Sequence, residues 1–132
     1  MKTKTPGKSP NEPKISETIL DFGEPFLSKA IAEDTPVMVV REVYQLVVMV
    51  WNAHVTATPR WSQPQFLEML RQQMRQPEAP AEARQIVDML SRRWQEKFAH
   101  VPYAVGEWHV RIRHDHTLSF YCDARLPPNA SL

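Results

Sequence analysis

Three histidines, an aspartate and the only cysteine crowd a 14-residue stretch of this 132-residue chain: His109, His114, Asp115, His116 and Cys122. Imidazole and thiolate are common ligands of zinc, which needs four donors converging on one point. Residues 107–113 and 117–125 alternate polar and apolar, and so predict two strands joined through the turn His114-Asp115-His116. On such a hairpin His109 lies well back from the turn, while Cys122 points to the opposite, apolar face. The turn alone supplies too few ligands, and neither a metal nor another cofactor is expected. Cys122 beside a histidine would also make a nucleophile, but a free cysteine on an apolar face is more usually a small buried hydrophobe. Ser62 and Ser119 lack a strand–turn–helix elbow. The three glycines, Gly7, Gly23 and Gly106, are too scattered for a phosphate-cradling loop. Asp21 and Glu24 share a helical face but read as solvated carboxylates. A non-enzymatic protein is expected.

Binding chemistry is better represented. The polar face of the hairpin collects His109, Arg111, Arg113, Tyr121 and Arg125, which offer positive charge, hydrogen-bond donors and one aromatic ring. A two-stranded ribbon of this kind can follow a nucleic-acid groove or stack an unpaired base. Lys2, Lys4, Lys8 and Lys14 would add phosphate contacts that do not depend on sequence. Glu107 and Asp123 occupy the same face, however, and beyond the first 14 residues acidic side chains slightly outnumber basic ones. Nucleic acid is therefore the alternative partner and not the first one. Trp94 and Trp108 read as core residues, whereas Trp61 falls in a loop and is the candidate interface aromatic.

The elements that must hold these residues follow from apolar spacing. Residues 1–14, with Pro6, Gly7, Pro10 and Pro13 among lysines, are expected to form a disordered basic arm. From Ile15 onward, Ile15, Ile19, Phe22, Phe26 and Ala30 recur at helical spacing, and Ser16 is a candidate N-cap. Pro25 cannot bond to the carbonyl of Asp21, so this helix is expected to kink or split, with a kink favoured. Residues 36–55, PVMVVREVYQLVVMVWNAHV, form the most apolar stretch. Its valines also suit a strand, but Arg41, Gln45 and Asn52 fall on one narrow helical stripe, and helix is preferred. A helix so apolar must be covered nearly all round, by the chain or by a partner. Asp34-Thr35 would cap it ahead of Pro36. A third helix is expected after a Ser62 cap, with Phe66, Leu67, Leu70 and Met74 inward. A fourth spans about 81–99, with Ala83, Ile86, Val87, Leu90, Trp94 and Phe98 inward and Arg84, Asp88, Arg92, Arg93 and Lys97 in water.

Strand register follows from the rule that directly opposed residues share a face. A loop centred on Asp115 pairs Ile112 with Leu118, Val110 with Phe120 and Trp108 with Cys122, giving one wholly apolar face. The other face pairs Arg113 with Thr117, Arg111 with Ser119 and His109 with Tyr121. The expected fold is α+β: about four helices around the apolar helix 36–55, then a C-terminal antiparallel β-hairpin. One globular domain, 15–126, would lie between the arm and a flexible tail, 127–132. With 42% apolar and 23% charged residues, one cysteine and no apolar N-terminal stretch, a cytoplasmic protein without a membrane segment is expected. The longest unbroken apolar run, 46–51, is far too short to cross a bilayer. The apolar helix and the free strand edges favour a protein–protein interaction module whose partner is another protein or a second copy in a homodimer.

Overall fold

The structure is a computed structural model that describes residues 15–113 and 117–128. The basic arm, the turn residues His114, Asp115 and His116, and positions 129–132 of the tail lie outside the described residues. Four helices come first: α1 (Ile15–Ala30), α2 (Val37–Thr56), α3 (Gln65–Arg75) and α4 (Ala81–Arg93). A π-helical turn, Trp94–Phe98, extends α4. Strands β1 (Ala104–Ile112) and β2 (Leu118–Arg125) then form a two-stranded antiparallel sheet. The fold is α+β, with α2 packed against α1, α3, α4 and β1. No described helix is long and apolar enough to cross a membrane.

The C-terminal half of α2 is the axis of the core. Trp51 is fully buried, and its indole meets Phe22 of α1 at 5.2 Å, Phe98 at 5.7 Å and Trp94 at 6.4 Å, all edge to face. Its N–H donates to the carbonyl of Tyr103 at 2.8 Å, which ties the aromatic cluster to the segment leading into β1. Tyr44, nearer the start of the helix, stacks on Phe120 at 5.0 Å and seats the hairpin. Cover is not complete: Val37, Met38 and Val39 in the first turn, and Met49 further on, are exposed. The expectation of a helix enclosed all round holds only from Val50 onward.

α1 neither splits nor stops at Pro25. The carbonyl of Asp21, which Pro25 leaves without its helical donor, receives Nη2 of Arg93 at 2.8 Å. Nε of the same guanidinium donates to the carbonyl of Phe22 at 2.9 Å, and Nη2 also meets the Asp21 carboxylate at 3.3 Å. Arg93 therefore does not face water as its helical position suggested. It supplies from α4 the donor that a proline removes from α1, and a second bond to the next carbonyl.

The expected caps are replaced by other bonds. The Ser16 hydroxyl accepts the N–H of Cys122 at 3.0 Å and reaches its carbonyl at 3.3 Å, clipping α1 to β2. The Thr35 hydroxyl accepts from the N–H of Ala32, so it closes the preceding loop and leaves α2 to start at Pro36 without a side-chain cap. Ser62 has a positive φ of 56° and donates to the carbonyl of Pro59, while α3 begins after Pro64.

Gly23 marks the closest approach of α1 to α2. A Cβ there would lie 2.8 Å from Cγ1 of Val47, a fully buried side chain. Alanine normally improves a helix interior by about 1 kcal/mol over glycine. Here overpacking, worth roughly 1–3 kcal/mol, opposes that gain. Gly23→Ala is expected to lower stability in urea denaturation, and the same change in a Val47→Ala background to be neutral or stabilising. An additive pair would rule out the steric account.

The hairpin register pairs His109 with Tyr121, Arg111 with Ser119, Val110 with Phe120, Trp108 with Cys122 and Ile112 with Leu118, as the side-chain faces required. It shifts between Val105 and Trp108, where Gly106 and Glu107 together oppose Asp123. The Asp123 carboxylate fills this bulge by accepting the Glu107 N–H at 2.9 Å. Past the shift, Ala104 and Val105 both turn inward and are buried.

Candidate functional site

An apolar groove of about 400 Å³ runs between α2, α3 and the start of β1. Val48, Met49 and Ala53 of α2 form its floor, Phe66, Met69 and Leu70 of α3 one wall, and Ala104 and Val105 the other. Phe66 departs from the inward position expected for it. It is 48% exposed, beside Met69 at 54%, because the inner side of α3 is carried by buried Leu70 with half-buried Leu67 and Met74. Exposing two large apolar side chains side by side on a short helix has an unfavourable hydration cost that a covering partner would remove. Methionines at the rim adapt their shape at little cost in strain.

Trp61 reaches this groove from the α2–α3 loop. Its indole N–H donates to the carbonyl of Pro102 at 2.8 Å, so the ring is fixed and half-buried, with one side left to line the groove. Arg125 is the only charged residue in the lining. Its side chain crosses Gly106, where a Cβ would lie 2.6 Å from Nε. Glycine there lets the guanidinium stem lie flat against β1.

Asn52 sits between groove and strand and does for β1 what another strand would. Its carboxamide Oδ1 accepts the Val105 N–H at 2.7 Å, and its Nδ2 donates to the Val105 carbonyl at 3.0 Å. Ser16 does the same for β2 at Cys122. The outer edge of each strand is thus plugged at one point, Val105 in β1 and Cys122 in β2.

The hairpin face presents His109, Arg111, Arg113 and Tyr121 together, all exposed. Arg125 is separated from them by Asp123 and belongs to the groove. Cys122 is buried on the apolar face, as its position required. Sequence reasoning missed Asn52, Phe66 and Met69. Asn52 counted only as one member of a polar stripe, and nothing in the local pattern marks its partner at Val105, 53 positions away.

The fold and groove define a small α+β protein with an apolar groove on its surface. Comparison with protein-family models, curated proteins and solved structures finds no match for the chain.

Proposed function

We propose that this chain is a non-enzymatic protein-binding module of the cytoplasm that takes an amphipathic helix of a partner protein into the groove between α2, α3 and β1. The observation that carries this reading is the pairing of exposed Phe66 and Met69 over an apolar floor. Asn52 occupies the backbone of β1 at Val105, which disfavours an added strand and leaves helix-in-groove docking as the better fit. Arg125, the only charged residue in the lining, favours a partner helix with an acidic residue placed to meet it. The buried single cysteine suits a reducing compartment.

The test is titration with a synthetic helix bearing leucines at helical spacing and a terminal glutamate, followed by NMR of the methionine methyl groups. Saturable shifts at Met49 and Met69 are expected, and Phe66→Ser with Met69→Ser should weaken binding at least about tenfold, or 1.4 kcal/mol. Unmoved methyl groups would refute the reading. So would a dimer in sedimentation that Met69→Glu dissolves, since a second copy would then be the occupant. A second reading, nucleic-acid binding, is favoured by the shared exposure of His109, Arg111, Arg113 and Tyr121. It ranks lower because Glu107 and Asp123 share that face.

A further inference from the structure

On the other side of α3 from the groove, a second cleft of about 350 Å³ opens between α3 and α4. Arg71 and Arg75 stand one helical turn apart on α3. Arg84, Asp88 and Ser91 follow one another at the same spacing along the facing side of α4. His54, from the last turn of α2, closes the inner end between the two helices. It is 4% exposed and stacked on Trp94 at 5.3 Å, and its Nε2 is buried with no hydrogen-bond partner. Nε of Arg84 is likewise buried and unpartnered, although its Nη2 is held by the carbonyl of Gln76 at 2.7 Å. None of the three arginines is ion-paired to a described carboxylate, in contrast to Arg93 with Asp21. Three guanidiniums against the one carboxylate of Asp88 leave the cleft strongly positive.

A buried donor or acceptor left without a partner costs about 1–3 kcal/mol, and two such atoms in a cleft where guanidiniums outnumber carboxylates mark a place that an anion completes. The donors outnumber what the two oxygens of a carboxylate can accept. A phosphate offers three oxygens and up to two negative charges, and guanidinium forks match its geometry. We propose that this cleft binds a phosphate monoester, with Arg71, Arg75 and Arg84 on its oxygens and His54 Nε2 at its inner end. The volume beyond the phosphate admits a small organic body, so the group arrives either on a small molecule or on a phosphorylated side chain. This site is independent of the groove and stands whether or not a helix binds there.

His54 reports on occupancy. Burial, and secondarily the charge of Arg71, push its pKa down to about 4. The charged groups facing it are Arg71 and Arg75 from α3 and Arg84 and Asp88 from α4. A bound dianion opposes those guanidiniums and favours the imidazolium, so occupancy must raise the pKa.

The experiment follows the His54 ring by NMR across pH at low ionic strength, with inorganic phosphate, phenyl phosphate and a phosphoserine peptide as separate probes and chloride as the control. Saturable binding of phosphate and a rise of at least about one pKa unit are expected, a tenfold gain in proton affinity. Arg71→Gln, an exposed position that leaves the core intact, should weaken phosphate binding about tenfold. Arg92→Gln, outside the cleft, should leave it unchanged. Tighter binding of phenyl phosphate than of the peptide assigns the site to small molecules, and the reverse to phosphorylated chains. Equal responses to chloride and phosphate, an unmoved His54, or full affinity in Arg71→Gln would overturn the proposal.

Discussion

Trp51→Ala is expected to cost about 4 kcal/mol, within the range for removing a buried aromatic ring. The side chain has no exposed surface and holds three other rings around it, Phe22, Trp94 and Phe98. The neighbours cannot close the space, because Phe22 is held on α1 and Trp94 and Phe98 on the turn that follows α4, each packed on other partners. Phe22, for example, also meets Phe98 edge to face at 5.6 Å. Losing the indole N–H strands the Tyr103 carbonyl as well. Small domains are stable by about 5–15 kcal/mol in all, so this single change brings the protein close to its folding midpoint. Thermal unfolding followed by circular dichroism should show a fall of roughly 15 °C. Trp51→Phe keeps a ring but not the donor, and should lose about 1–2 kcal/mol. Equal losses in the two variants would mean that the hydrogen bond, and not the cluster, carries the effect.

Asn52→Leu is the second large change. It removes both bonds to Val105 while leaving a side chain of similar size beside a strand that is itself buried at that point. An N–H and a carbonyl lose their partners together, at an expected cost of about 2–4 kcal/mol. Hydrogen exchange should show the Val105 amide among the fastest in β1. Asn52→Asp separates the two bonds. The new carboxylate still accepts the N–H but repels the carbonyl, so folding holds its pKa above the usual carboxylate value. The unfolded chain then binds fewer protons than the folded one in that range, and the deficit of this variant should shrink as pH falls. The freed edge should also promote concentration-dependent association, readable by light scattering.

How much of this was written locally in the chain can be judged element by element. The hairpin register was legible because opposed residues must share a face, and Ile112, Val110 and Trp108 find apolar partners in only one alignment. The helicity of residues 37–56 was legible from the stripe formed by Arg41, Gln45 and Asn52. The continuity of α1 was not, because the donor that replaces the missing proline bond comes from Arg93, 72 positions away from Asp21. The π-helical turn was hidden for a geometric reason. Leu90, Trp94 and Phe98 are spaced by four, and on an α-helix of 3.6 residues per turn such a row drifts steadily around the axis. A wider turn from Trp94 takes up that drift and keeps Phe98 on the Trp51 cluster. The groove was half visible. Trp61 stood out by type and position, but Phe66 fitted an inward stripe until Leu70 proved to fill the space beneath α3.

The Trp51 cluster and the Ser16–Cys122 clip also constrain how the molecule comes into being. Phe22 precedes Trp51 on the chain, Trp94 and Phe98 follow it by some forty residues, and the clip joins positions 106 apart. During synthesis α2 therefore emerges with half its cover still inside the ribosome, and α1 has no strand to hold until β2 appears. Such a chain commits to its native arrangement late, and the interval in which its valines stand bare is one that chaperones would be expected to guard.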